Sequence, residues 1–300
     1  MATRVAWFLN LDVERELAHP ARYRPSSVLI DRADQLIARM SLLLRPDDDI
    51  LFPGEAKLRP RSLSRAVLCF CPSPWALSRL RDMNLPAPPS PGLQVLRRVS
   101  SRAFNAQVGQ TVPGARYALN AREVEQALAT PSPTGTWVLK QDYGFTGRGR
   151  LWLRENALTP RARRFVDEAF ARGEGIQVEP WLTRTADFSR HGYLEPSGEL
   201  HVGPIVQQWT SARGAWQRSA LADEQALNES EQHKLAFELH NAGQRLHEAG
   251  YFGPFGIDAF RYQLGASRQE LVARIEINAR FSMGYPRSLL ERALLLQPPT

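Results

Sequence analysis

The 300-residue chain is 43% hydrophobic and 23% charged, a balance that supports a sizeable core and excludes disorder as the main state. No stretch approaches the ~20 uninterrupted apolar residues that cross a bilayer, and the apolar stretch over 5–11 runs straight into Asp12 and Glu14, so neither a secretory signal nor a membrane anchor is expected. The net charge of +7 comes from 35 Arg and only 3 Lys spread through nearly every segment, which describes a solvated, arginine-biased surface better than a nucleic-acid-binding one.

The first ninety residues read as a small α/β unit. A strand is expected over 4–10, an apolar helical pattern at Ile30, Ala33, Ile37, Met40 and Leu44, and a second strand over 50–52. A third strand over 66–71 carries Cys69 and Cys71, whose alternation predicts two buried thiols on one face; a lone C-x-C is a poor metal or disulfide framework, and the compartment reads as reducing cytosol. Ser73 and Pro74 then supply an N-cap and a first-turn proline for a helix to Met83. Pro86, Pro88, Pro89 and Pro91 form a stiff connection, which places a domain boundary near residue 92.

Beyond it, Ser100 or Ser101 can cap a helix through Val108, and Asn120 with Glu123 resembles a capping box for a helix to Ala129. A strand ends at Lys140. After the glycine-rich loop come a strand from Arg150, a helix between Thr159 and Gly173, a strand over 176–181 and a hairpin turning at 196–198. A long amphipathic helix over 227–250 buries Leu235, Leu239, Ala242 and Leu246, and two strands over 255–262 and 271–278 close the fold. His233, His240 and His247 recur along that helix two turns apart, ~10 Å, too far to share a metal, and read as a solvated edge.

Two segments carry candidate chemistry. In the loop Gly144, Phe145, Thr146, Gly147, Arg148, Gly149, glycines let backbone N–H groups converge on phosphate oxygens, and Lys140 at the strand end can reach the same anion; the plain alternative is an ordinary turn. In the last strand, period two sets Arg274, Glu276, Asn278 and Arg280 on one face. If the preceding connection is a simple hairpin centred near Ser267, Asp258 falls opposite Glu276. Two facing carboxylates repel unless a cation lies between them, and their oxygens with that of Asn278 suit Mg²⁺. The alternative pairs each acid with Arg274 or Arg280.

From about Arg102 to Gly284 the order of these motifs resembles the ATP-grasp superfamily, which includes D-alanyl-D-alanine ligases, glutathione synthetase and biotin carboxylase. Asp258 followed by Glu276, Ile277, Asn278, Ala279, Arg280 looks like that family's Asp and its Glu-x-Asn-x-Arg run. The resemblance implies an α/β (α+β) fold: a small N-terminal α/β domain at 1–92 and an ATP-grasp domain at 93–300, whose lobes at about 93–182 and 183–300 clamp ATP. It further implies that Asp258, Glu276 and Asn278 hold two Mg²⁺ ions, for which Mn²⁺ could substitute. Lys140 and Arg102, an Arg where Lys is more usual, would contact phosphates with Gly144, Gly147 and Gly149, and Arg280 would meet phosphate or a developing anion. Glu179, Trp181 and Leu182 resemble the strand that reads adenine, and Asp187 is spaced to accept the ribose hydroxyls; on the residues alone Trp181 and Leu182 read first as core. Some peptide ligases of the family place an Arg two residues before the metal Asp, where this chain has Gly256.

The implied activity is that of a cytoplasmic ATP- and Mg²⁺-dependent ligase joining a small-molecule or peptide carboxylate to an amine through an acyl phosphate. A small-molecule kinase and a non-catalytic nucleotide-binding module are the alternatives, and a homodimer stays open. No family pattern covers 207–219.

Overall fold

The computed structural model describes residues 5–53, 66–144, 149–154, 156–211, 214–265 and 267–295. Three strands, β1 (Val5–Phe8), β2 (Asp49–Leu51) and β3 (Ala66–Cys69), form a parallel sheet in the order β2-β1-β3. Central β1 is apolar throughout because both its faces are covered: Val5 and Trp7 pack into one cluster, Ala6 and Phe8 into another. Parallel strands need crossovers, and α1 (Val13–Ala18), α2 (Ser27–Ile30) and α3 (Ala33–Ile37) lie between β1 and β2. The expected single apolar helix there is two short ones. α4 (Pro74–Asp82) starts as expected, with Ser73 Oγ accepting from the Ala76 amide and Pro74 first in the helix. Cys69 and Cys71 are both buried, but not on one face: β3 ends at Cys69, the chain bends, and period two lapses, so Cys69 packs under α4 while Cys71 joins a different core.

The second layer is an antiparallel sheet ordered β4-β7-β5-β6, from β4 (Arg116–Ala118), β5 (Trp137–Gln141), β6 (Arg150–Leu153) and β7 (Ile176–Pro180). Before it run α5 (Leu93–Val99), which the sequence reading missed, and α6 (Arg102–Val108), capped by Ser101. α7 (Ala121–Leu128) and α8 (Pro160–Ala171), capped by Asn120 and Thr159, cover one face. That face holds Trp137, Leu139, Leu151, Leu153, Ile176 and Val178. Alternation therefore turns Lys140, Arg150, Gln177 and Glu179 to the other face, with Lys140 in register between Arg150 and Gln177.

The third layer has the order β10-β9-β8-β11-β12, built from β8 (Arg184–Leu194), β9 (Leu200–Thr210), β10 (Trp216–Leu221), β11 (Gly253–Leu264) and β12 (Arg268–Asn278). α9 (Glu229–Glu248), opened by an Asn228/Glu231 capping box, lays Leu235, Leu239, Ala242 and Leu246 on one side of this sheet, against Phe188, Phe255 and Ile257. His233, His240 and His247 are exposed, as expected. The last described element is α10 (Leu290–Leu295), and Phe281, Tyr285, Leu289 and Leu290 share a core with Trp7, Leu9 and Phe70 of the N-terminal unit. No helix among the described residues is long and apolar enough to cross a membrane.

Candidate active site

The free face of the four-stranded sheet and that of the five-stranded sheet line one cleft of about 220 Å³. Lys140, Gly144 and Arg150 line it from one side; Asp187, Gln208, Asp258, Glu276, Asn278 and Arg280 from the other; Leu11, Leu36, Phe70, Trp216 and Met283 wall one end.

The register within the last hairpin decides what faces the cleft. Near the turn Leu264 pairs with Arg268 and Phe260 with Val272, so an unbroken ladder would bring Arg274 opposite Asp258. A register shift between Asp258 and Phe260 carries β12 forward and sets Glu276 there instead. The same irregularity removes Arg274 from the face on which alternation placed it: its guanidinium is buried on the helix side, with Nε 2.8 Å from Glu238 of α9 and Nη1 2.6 Å from Asn105. Ile275 lines the cleft in its place.

The two facing carboxylates have opposite surroundings. Glu276 accepts from Arg102 Nη1 at 2.9 Å and lies 4.0 Å from Arg150. Burial alone would raise its carboxyl, but Arg102, Arg150 and Lys140 outweigh burial and bring it to about 2. Asp258 takes hydrogen bonds from neutral amides, Gln208 Nε2 at 3.1 Å and Asn278 Nδ2 at 3.0 Å. Burial, with the charge of Glu276 nearby, pushes Asp258 up to about 6. On the opposite sheet, buried Lys140 is ion-paired with buried Glu179, and desolvation lowers its ammonium to about 8 despite that partner. Arg102 is 5% exposed, and its Nε and Nη2 have no hydrogen-bond partner. A cationic group buried with free donors costs stability unless an anion completes it, and Arg102 keeps two such donors.

No family model matches the chain. The butirosin acyl-carrier protein L-glutamate ligase of Niallia circulans is 22% identical over 316 residues, spanning 93% of this chain and 72% of that protein. Among solved structures, the ADP complex of N5-carboxyaminoimidazole synthetase from Staphylococcus aureus superposes with a TM-score of 0.54 at 11% identity, over 99% of this chain and 78% of that one. D-cycloserine synthetase DcsG gives 0.52 at 12% identity, over 98% of this chain and 100% of its own. The chain has the ATP-grasp fold.

Within the ATP-grasp cleft the structure brings Arg102, Lys140, Gly144, Glu179, Asp187, Asp258, Glu276, Asn278 and Arg280 together or into direct contact with its lining. Asp187 accepts from Arg184 at 3.0 Å and from Thr210 at 2.7 Å. Trp181 and Leu182 line an adjoining groove with Asp187; Leu182 is buried among Val112, Phe260 and Val272, and Trp181 packs on Trp152 with ring centroids 6.2 Å apart. Gly149, at φ 69°, lines a separate groove with Arg15, Arg22 and Arg24 rather than the cleft. Gly147 lies outside the described residues. Arg280 pairs with neither Asp258 nor Glu276: its Nε is 2.7 Å from Glu14 of α1, and it stacks 5.1 Å from the Phe70 ring.

Sequence reasoning overlooked Arg150 and Gln208. The first was legible, because alternation with buried Leu151 and Leu153 puts Arg150 on the face of Lys140. The second depends on the β8–β9 register, which sets Gln208 beside Asp187.

Proposed function

We propose that the protein is an ATP- and Mg²⁺-dependent ligase that joins a carboxylate to an amine or similar nucleophile through an acyl phosphate. The observation that carries this reading is the pairing of Asp258 with Glu276 across adjacent strands, in one cleft with Lys140, Arg102 and Arg150. Asp258 fits a divalent cation on its own chemistry: a largely buried carboxylate hydrogen-bonded to neutral amides makes no ion pair among the described residues, and Asp258, Glu276 and Asn278 offer oxygen donors side by side. They would hold up to two Mg²⁺ ions, whose charge would help neutralise the phosphates. Lys140, Arg102 and Arg150 bind and orient the triphosphate; Glu179, Trp181, Leu182 and Asp187 take the nucleoside end. A substrate carboxylate held in line attacks the γ-phosphorus, ADP leaves, and the amine then displaces phosphate from the acyl carbon. The protein's share is positioning and charge neutralisation, so no general base is required for the first step. We assign the nucleotide to the lobes at about 93–182 and 183–300, part of the acid site to the unit at 1–92, and the enzyme to the cytoplasm. The synthetases and ligases it resembles in fold and sequence support this reading.

The test is acid-dependent ADP release with hydroxylamine as nucleophile, which traps an activated acyl group as a hydroxamate. The acid panel starts from L-glutamate, named for the Niallia relative, and includes acids with apolar bodies, since Leu11, Leu36, Phe70, Trp216 and Met283 wall the cleft. With an acid labelled with heavy oxygen, one label should appear in released phosphate, because the attacking carboxylate oxygen leaves with it. ADP formed alongside a stable phosphorylated product and no free phosphate would establish a kinase instead.

A further inference from the structure

On the cleft side of β8 alternation lines up Asp187, Ser189 and His191, and the register sets His191 beside Gly256 and Gly256 beside Asn278. His191 is 1% exposed, and its ring lies over Gly256: a Cβ built there would meet His191 Cδ2 at 2.6 Å. Residue 256 sits inside a strand without left-handed φ, so the backbone does not demand glycine; the imidazole does. His191 thus fills the space into which a side chain two residues before Asp258 would project. Gly256→Ala should accordingly displace the ring and destabilise the protein, a loss readable as a lowered melting temperature.

The ring reaches the cleft through Ser282. His191 Nε2 and Ser282 Oγ are 2.7 Å apart, and Ser282 lines the cleft beside Arg280 and Met283. The other ring nitrogen, Nδ1, is buried without a partner. A proton on Nδ1 would bury an orphaned donor, the rarer and costlier arrangement, whereas a proton on Nε2 is satisfied by Ser282. The neutral ring therefore donates Nε2–H to Ser282 Oγ and leaves the hydroxyl hydrogen free to point elsewhere. An imidazole already donating to the hydroxyl cannot take its proton, so Ser282 is a fixed donor and not an activated nucleophile. Along the chain, Glu276 is held by Arg102 and lies near Arg150, while Ser282 follows Arg280 and precedes Met283 of the apolar wall.

We infer that Ser282 donates a hydrogen bond to the carboxylate of the acid substrate at the apolar-walled end of the cleft, and that His191 is the positioning residue that aims it. The inference rests on the ligase reading above. In the hydroxylamine assay, Ser282→Ala should raise KM for the acid about tenfold and leave KM for ATP within about twofold. His191→Leu should have the same effect, should add nothing in the Ser282→Ala background, and should be largely rescued by His191→Gln, whose side-chain amide can donate in place of Nε2. A separate measurement needs no substrate: two-bond ¹H–¹⁵N correlations on histidine-labelled protein should place the His191 proton on Nε2. An unchanged acid KM in Ser282→Ala, an equal rise in ATP KM, or a proton on Nδ1 overturns the inference. If the wild-type protein releases no ADP with any acid, the ligase reading falls and takes the carboxylate with it, while the position of the proton still decides whether Ser282 is a free donor.

Discussion

Asp258→Asn and Glu276→Gln should shift the melting temperature of the ligand-free protein in opposite directions while removing the same response to Mg²⁺ and ATP. Asp258 ionises near 6 in the fold against an ordinary value near 3.8. Its charged form is therefore disfavoured on folding: stability is highest with the group protonated, falls as pH rises from about 4 to about 6, and stays lower above. A neutral amide removes that deficit, so Asp258→Asn should stabilise the apo protein at pH 7.5 by ~1–2 kcal/mol, a few degrees. Glu276 ionises near 2 against 4.5, so its stabilisation is present at neutral pH and is lost as pH falls through about 4.5 toward 2. Glu276→Gln leaves Arg102 and Arg150 without their counter-charge and should cost ~2–3 kcal/mol at pH 7.5. Wild-type protein at about 100-fold ligand excess over Kd should gain ~2.7 kcal/mol, and both variants should lose most of that gain. Thermal denaturation with and without Mg²⁺ and ATP reads all four quantities, and apo shifts of the same sign would contradict the electrostatic account. Because Asp258 must be ionised to hold a cation, wild-type Mg²⁺ affinity should also weaken below about pH 6.

Lys140→Met should damage stability and ATP binding for separable reasons. Removing the ammonium leaves the buried Glu179 carboxylate unpaired, at a cost of ~3–5 kcal/mol. The double variant Lys140→Met/Glu179→Gln, with no charge left to bury, should recover most of that stability, yet neither variant should regain the tenfold or more in ATP affinity that a charge-assisted phosphate contact provides, ~1.4 kcal/mol. Calorimetric titration with ATP alongside chemical denaturation distinguishes the two effects. Burial lowers the Lys140 ammonium to about 8, so ATP affinity should fall as pH rises above about 8 and the ammonium loses its proton.

The helices most legible in the sequence were those with explicit ends. Ser73 with Pro74, Ser101, Asn120, and Thr159 with Pro160 each start a helix in the structure, because a cap satisfies amides that would otherwise lack partners. The pairing of Asp258 with Glu276 was anticipated, although through a simple hairpin; the structure reaches it by a register shift, and that irregularity is why Arg274 points at α9 instead of the cleft. A bulge leaves no mark in an alternating pattern. Arg280, expected to meet phosphate or a developing anion, lines the cleft and is held there by Glu14, a residue 266 positions away whose role no local spacing reveals. His191 escaped attention for the same reason: its meaning comes from the register beside Gly256.

The described residues join the four-stranded sheet to the rest of the molecule differently from the way the N-terminal unit is joined. The N-terminal unit shares apolar cores with both Tyr285 and α9, whereas the four-stranded sheet keeps a core of its own and, beside the apolar contacts of Leu182 with Phe260 and Val272 and of Tyr143 with the α9 core, is joined by polar contacts: Asp142 with the Ala103 amide at 3.0 Å, the Tyr143 hydroxyl with the Arg97 carbonyl at 3.0 Å, and Arg150 with Glu276 at 4.0 Å. Ionic strength discriminates between such joints, since ~1 M salt shortens electrostatic reach to about 3 Å and leaves apolar burial intact or strengthened. Concentrated salt should thus loosen one jaw of the cleft while the other stays fused to the N-terminal unit, and amide exchange should accelerate at 102–103, 142–144 and 150 ahead of β1 and β11.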